Sequence, residues 1–218
     1  MQPLFRTSAD LPATLPVFPL AGALLLPRGQ LPLNIFEPRY LAMVDDALRT
    51  HRLIGMIQPE SEEETNPPLF QVGCVGKITQ FAETGDGRYL IQLTGISRFR
   101  VLEEQAVTTP YRQCRITAEP FAVDFQPRAG EDEVDRKALI ETLKAYLDVH
   151  RFQVNWNEVH EASNEALVNA LAMMSPFGRR EKQALLEAGT LRERAEILVA
   201  ITEIELAKDG DGSDTPLQ

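Results

Sequence analysis

Three strings in the chain carry residue types that could do chemistry, and each departs from the spacing that chemistry needs. His160-Glu161-Ala162-Ser163-Asn164 begins like a zinc-peptidase helix, in which two imidazoles one turn apart share a metal and a glutamate acts as base. Asn164 stands where the second histidine must be, and His51 and His150 have no partner at ligand spacing. Gly73-Cys74-Val75-Gly76-Lys77-Ile78 has glycines and a lysine. It lacks the GxxxxGK[ST] spacing that cups a phosphate in backbone amides and sets a hydroxyl on magnesium. Ser97 and Lys77 are the residue types of a Ser–Lys nucleophile pair, yet neither sits in a recognisable nucleophile turn. Cys74 and Cys114 form no CxxC pair and read as small buried strand residues of a protein from a reducing compartment. No catalytic residue, metal ligand or cofactor is therefore expected.

If the function is binding, the relevant chemistry is exposed apolar or methionine-rich surface that repacks around varied side chains. The candidates are Phe36, Tyr40 and Met43 around one helix, Met56 in the strand after it, and Phe152 and Trp156 in a segment between helices. Core packing is the competing reading for each of them. The Phe152–Trp156 segment is the most informative, because large aromatics between helices are less obliged to be buried. Glu37, Pro38 and Arg39 are expected to be structural, pinning the entry to the first helix.

Composition narrows the classes. With 218 residues, 44% hydrophobic and 25% charged, the chain has the make-up of an ordinary globular protein. At this length a core needs no disulfide or metal staple. The net charge is −10, and no basic stripe interleaved with aromatics occurs, so nucleic acid is not an expected partner. Val17–Leu26 has the length of a signal-peptide apolar core. Pro19 interrupts it, Arg6 is offset by Asp10, and no small-x-small cleavage site follows. No run of 18 apolar residues is present, so no membrane span is expected and the location reads as cytoplasmic.

The elements that must position these residues change character along the chain. Residues 1–14 read as loosely ordered. Leu15–Leu20 and Leu31–Phe36 are apolar runs punctuated by prolines, which predict peripheral strands. Pro38 opens an amphipathic helix to Thr50 with Tyr40, Leu41, Val44 and Leu48 on one face. Leu53–Gln58 is a strand, and Pro59–Pro68 is a loop with an acidic run that reads as a solvated turn. Phe70–Glu83, Arg88–Thr94, Ser97–Leu102 and Tyr111–Ala118 follow, with a Gly85-Asp86-Gly87 turn, giving about six or seven strands in all. From Glu131 the period is helical. Val134, Leu139, Ile140, Leu143, Tyr146 and Leu147 share one face. Ser163 caps a helix with Leu167, Val168, Leu171 and Met174 inward. Thr190-x-x-Glu193 is a capping box for the last helix, in which Leu191, Ala195, Leu198 and Ile201 face inward. The division expected is 15–125 β-rich, 126–208 helical and 209–218 a disordered tail, an α+β protein.

Leu15-Pro16-Val17-Phe18-Pro19-Leu20 with Leu31-Pro32-Leu33-Asn34-Ile35-Phe36-Glu37-Pro38-Arg39-Tyr40 is similar to the opening of Lon protease N-terminal domains. Val72–Ile78 resembles that family's VGxVGxI strand, and Leu93–Phe99 its xGxxRxR segment. Asp86–Tyr89, Leu167–Ala172 and Ile204–Leu206 also fit in order, so the resemblance covers about residues 15–208. It is greatest to small bacterial proteins made only of that domain. The resemblance implies a PUA-like β-barrel followed by a helical bundle. In full-length Lon that module feeds protein substrates to an ATPase and a Ser–Lys peptidase, and this chain is expected to stop where those parts begin. Two readings stay open. One is a non-catalytic module for unfolded or partner polypeptides, serving an ATP-dependent protease. The other is a PUA-type small-molecule or RNA-binding barrel. An apolar groove between barrel and bundle would favour the first, and a polar pocket the second.

Overall fold

Alternation of apolar and polar residues builds the strands, and glycines and prolines set their ends. The computed structural model describes residues 5–61, 66–150 and 154–211. Its strands are β1 (Thr14–Pro19), β2 (Gln30–Ile35), β3 (Leu53–Ile57), β4 (Val72–Glu83), β5 (Tyr89–Glu104) and β6 (Gln113–Thr117). The sheet order is β2-β5-β4-β3-β1-β6, and β6 also pairs with β5. The sheet thus closes on itself and leaves β2 as an edge outside the ring. Only β1 and β3 run parallel. This is the expected barrel.

The strands depart from the sequence expectation at β5 and at β1. The runs 88–94 and 97–102 are one strand, β5, whose first half pairs with β2 and whose second half pairs with β6. Gly95 lies between those halves. A Cβ there would stand 2.0 Å from the Leu26 carbonyl oxygen, so only glycine lets the 26–28 segment cross β5. Nor is β1 peripheral: it lies between β3 and β6. Its amides alternate between neighbours, and that of Val17 donates to Arg112 (2.9 Å) on the β6 side. The nitrogen of Pro16 therefore faces β3, whose pairing starts only at Val17. Pro19 lies beyond the β6 pairing, which ends at Pro16. Neither proline removes a ladder bond.

The helices are α1 (Pro38–Arg49), α2 (Arg136–His150), α3 (Trp156–Glu161), α4 (Asn164–Met174), α5 (Arg179–Glu187) and α6 (Leu191–Asp211). Pro38 is the first residue of α1. Tyr111 and Tyr89 tie that helix to the barrel by donating to Asp46 (2.7 Å) and Asp45 (3.1 Å). Ser163 caps α4 by accepting from the Ala166 amide (3.2 Å). At α6, Thr190 accepts from the Glu193 amide (3.0 Å), while the Glu193 carboxylate accepts from Gly189 rather than Thr190. The backbone of α6 runs to Asp211, three residues into the segment expected to be tail.

One core cluster fills the barrel interior with Leu15, Val17, Val75, Phe99 and Ile116, and Phe5 and Leu11 pack against it. Residues 5–13 are thereby anchored rather than loose, with a capped turn at Ser8–Asp10. The larger cluster joins Leu24, Leu25, Met43, Met56 and Ile78 to Val168, Leu185 and Leu198, so barrel exterior and helices share one core. Cys74 and Cys114 are buried and unbridged. Burial pushes both thiols up, Cys114 to about 11, which keeps them protonated and unreactive.

Candidate binding cleft

A buried polar network fixes the angle between barrel and helices. The Asp124 carboxylate, in the 3-10 turn after β6, accepts from the amide (2.8 Å), Nε (2.9 Å) and Nη2 (2.8 Å) of Arg98 on β5. Nη1 of Arg98 donates to the Leu186 (3.2 Å) and Ala188 carbonyls at the end of α5. Arg194 on α6 donates to the Leu185 carbonyl (2.8 Å) and to Asn169 Oδ1 (3.1 Å), and Asn169 donates to the Pro27 carbonyl (3.1 Å). Burial pulls Arg194 down to about 10, with Arg98 adding to the effect and Asp124 opposing it, so it stays charged at neutral pH. Gln58 accepts from Gly22 (3.1 Å) and donates to the Arg179 carbonyl (3.1 Å), and Lys182 donates to the Gly22 carbonyl (2.8 Å).

Held in this frame, an open cleft of about 500 Å³ lies where the 27–30 segment meets α4. Pro27, Gly29 and Pro127 form one wall; Ala166, Ala170, Met173 and Met174 form the other. Met174 is 83% exposed. A Cβ on Gly29 would stand 2.4 Å from the Met173 sulfur, so the glycine gives that thioether its room. The rim is ionic. Arg28 Nε donates to Glu165 Oε1 (2.9 Å), and the Arg128 amide donates to Glu165 Oε2 (3.0 Å). Arg28 and Arg128 both have left-handed backbones (φ 65° and 64°), a conformation that non-glycine residues adopt only where surroundings enforce it. Glu131 braces the rim, accepting from Arg128 Nε (2.5 Å) and the Glu165 amide (3.0 Å). Burial raises its carboxyl, but the bonds from Arg128, Glu165 and Ser163 outweigh that and hold it below the usual range. With rim charges paired and walls mostly apolar, the cleft suits van der Waals capture of apolar side chains.

The sequence candidates are scattered. Tyr40, Met43 and Met56 are 6%, 0% and 3% exposed, which withdraws them from any surface. Tyr40 packs on Phe18, ring centroids 4.2 Å apart, and the helical stripe that singled out Tyr40 and Met43 is a core face. Phe36 is 60% exposed, with the Arg88 guanidinium 5.9 Å from its ring. Trp156 opens α3, half-buried, with Lys144 Nζ 5.4 Å from its ring. Neither lines the methionine cleft. Phe152 lies outside the described residues. Glu37 pairs with Arg39 (2.8 Å), and its carbonyl accepts the Tyr40 and Leu41 amides at the start of α1. Met174, expected inward, points outward. The visible signal was the Met173-Met174 pair directly before the Ser-Pro-Phe-Gly breaker, where a helix ends and its last side chains need not be buried.

Of the strings that hinted at catalysis, Gly73–Ile78 lies within β4, and Ser97 is buried on β5 with its hydroxyl on the Arg98 carbonyl (3.0 Å). Among the described residues no group of three or more His, Cys, Asp or Glu could hold a metal, and no helix is long and apolar enough to cross a membrane.

A family model described as "ATP-dependent protease La (LON) substrate-binding domain" matches residues 14–203. The chain is 31% identical to a Lon protease of Parabacteroides distasonis over 88% of its length and 24% of that protein. It is 27% identical to Lon protease 2 of Myxococcus xanthus, again over 88% of this chain and 24% of the relative. It thus spans about a quarter of the length of these relatives. Among solved structures it resembles a Lon N-terminal domain protein from Xanthomonas campestris with a TM-score of 0.61 and 24% identity, covering 86% of this chain and 97% of that one. The N-terminal domain of a Mycobacterium avium complex Lon protease gives 0.63 and 18%, covering 87% and 98%. These last two likenesses concern the fold.

Proposed function

The chain belongs to the Lon substrate-binding domain family, and on that premise we propose that it is a non-catalytic module capturing unfolded or partner polypeptides in the cleft between barrel and helices. The observation that carries the reading is the wall of Met173 and Met174, one half-buried and one exposed, facing two prolines and a glycine. Thioethers adapt to side chains of different shape, which a binder of many sequences requires. Each apolar side chain taken into such a cleft gains about 1.5–3 kcal/mol before ordering costs. Two or three anchors then supply about 3–9 kcal/mol before those costs, which bounds the affinity at about micromolar and leaves it weak enough for release. An ATP-dependent protease is the partner to which captured chains would pass. Apolar walls and a net charge of −10 count against the RNA alternative. Two buried thiols without a disulfide suit a reducing cytoplasm.

The test is fluorescence anisotropy of a labelled, permanently unfolded polypeptide titrated with the protein without ATP. Saturable binding, weakened about tenfold by Met173→Ser with Met174→Ser in protein that stays folded, is expected. Absence of binding at high micromolar protein refutes capture. Loss of binding in Phe36→Ala or Trp156→Ala, with the methionine variant unaffected, places the site elsewhere.

A further inference from the structure

Arg28 and Pro127 line the methionine cleft and also a second open cleft of about 640 Å³. Phe5, Ile96 and Phe125 give it apolar walls. Its charged groups are Arg6, Arg28, Lys77 and Asp124. The Asp124 side chain is 7% exposed and committed to Arg98, so it offers no negative charge to a visitor. Arg28 shares Glu165. Arg6 is exposed, and Lys77 is half-buried with its Nζ 5.8 Å from the Phe5 ring. Among the described residues neither forms a salt bridge. The Asp10 carboxylate accepts from the Arg6 amide (2.8 Å) but lies outside the lining. In a chain of net charge −10, a recess lined by Arg6 and Lys77, with its one carboxylate committed to Arg98, complements an acidic group. The hydroxyls of Thr79 and Thr94, 3.0 Å apart, also line it, with Thr79 donating to the Gln92 carbonyl (3.2 Å).

We propose that this second cleft receives an acidic side chain of the polypeptide whose apolar residue occupies the methionine cleft. The preferred substrates are then extended segments in which an apolar anchor lies within a few residues of Asp or Glu. The observation behind this is the shared lining: Arg28 and Pro127 border both recesses, so one extended segment passing over them can reach both. The inference rests on the capture reading and adds selectivity to it. Charge complementarity of this exposed kind favours the correct partner and its encounter rate more than raw affinity.

The experiment uses three labelled peptides with one apolar core, flanked by Glu, Gln or Lys, titrated against the full chain and its Arg6→Gln/Lys77→Gln variant. Thermal melts establish that the variant is folded. At low salt the Glu peptide should bind roughly fivefold more tightly than the Gln peptide, as two exposed charge pairs allow. The Lys peptide should bind more weakly than either. The Glu advantage should fall below about twofold in the variant and in 0.5 M salt. Equal affinity of the Glu and Gln peptides for the wild type, or an advantage that survives in the variant, overturns the selectivity and leaves capture standing. If no peptide binds, capture itself fails and the selectivity with it. An RNA oligonucleotide that binds more tightly than the Glu peptide, and is lost in the same variant, reassigns the cleft to nucleic acid.

Discussion

Asp124→Asn should destabilise the protein far more than a surface carboxylate change, because it strips the charge from a pair buried at both ends. The two side chains are 3% and 7% exposed. Oδ2 accepts two bonds from Arg98 and Oδ1 accepts the third. An asparagine can keep its oxygen at the Oδ2 position, but its NH2 then faces Nη2, donor against donor. The guanidinium keeps its Leu186 and Ala188 carbonyl partners and loses its counter-charge. Removing one partner of a buried pair costs about 3–5 kcal/mol, and the retained bonds bring this to roughly 2–4. With a urea m-value of about 2 kcal/mol/M, the unfolding midpoint should drop by about 1–2 M. Asp86→Asn, at a pair more than half exposed on both sides, should leave the midpoint unchanged. The double variant Arg98→Met/Asp124→Leu should recover much of the loss, since the cost lies in the uncompensated charge. An Asp124→Asn midpoint equal to that of wild type would refute the claim that this buried pair supports the fold.

Gly95→Ala should cost more than about 3 kcal/mol or prevent folding, because its Cβ meets the Leu26 carbonyl at 2.0 Å. Gly85→Ala, with nothing within 4 Å of the added carbon, should melt like wild type. Glu131→Gln tests the rim by pH. The folded pKa of Glu131 lies below its unfolded value, so its contribution is complete above about pH 4.3 and disappears as pH falls through the folded value. The urea-midpoint gap between wild type and variant should therefore be constant from neutral pH to about 5 and shrink on further acidification. A gap that widens in acid contradicts the assignment. Tyr111→Phe should cost about 1 kcal/mol by thermal melt. In the wild type, ultraviolet titration should find that phenol near 12, raised by burial and by its bond to Asp46.

Chain order and element type were legible because each rests on a local pattern. Pro38 and the α1 stripe, the Ser163 cap and the glycine-bounded turn at 85–87 are decided by nearest neighbours along the chain. What escaped depends on residues far apart in sequence. Whether β1 is an edge is decided by closure of β6 onto β5 and by the staggered start of the β3 pairing, neither of which marks residues 14–19. The apparent break at residues 95–96 is a register shift against β4 where the 26–28 segment passes close to Gly95. The site was harder still. Met43 and Met56 share a residue type with Met173 and Met174, and only packing separates core from cleft. The helical pattern 167, 168, 171, 174 points inward until the helix ends, and Met174, its last residue, projects at 83% exposure. Arg98 stood within a motif of the resemblance, but its partners Asp124, Leu186 and Ala188 are 26, 88 and 90 residues away.

Capture at the methionine cleft can be followed by methyl NMR of the five methionines during titration with an unlabelled unfolded polypeptide. The Met173 and Met174 methyl signals should shift and saturate together while those of Met43 and Met56, buried in the core, stay in place. Saturable binding with the Met173 and Met174 signals unmoved would contradict capture at this cleft.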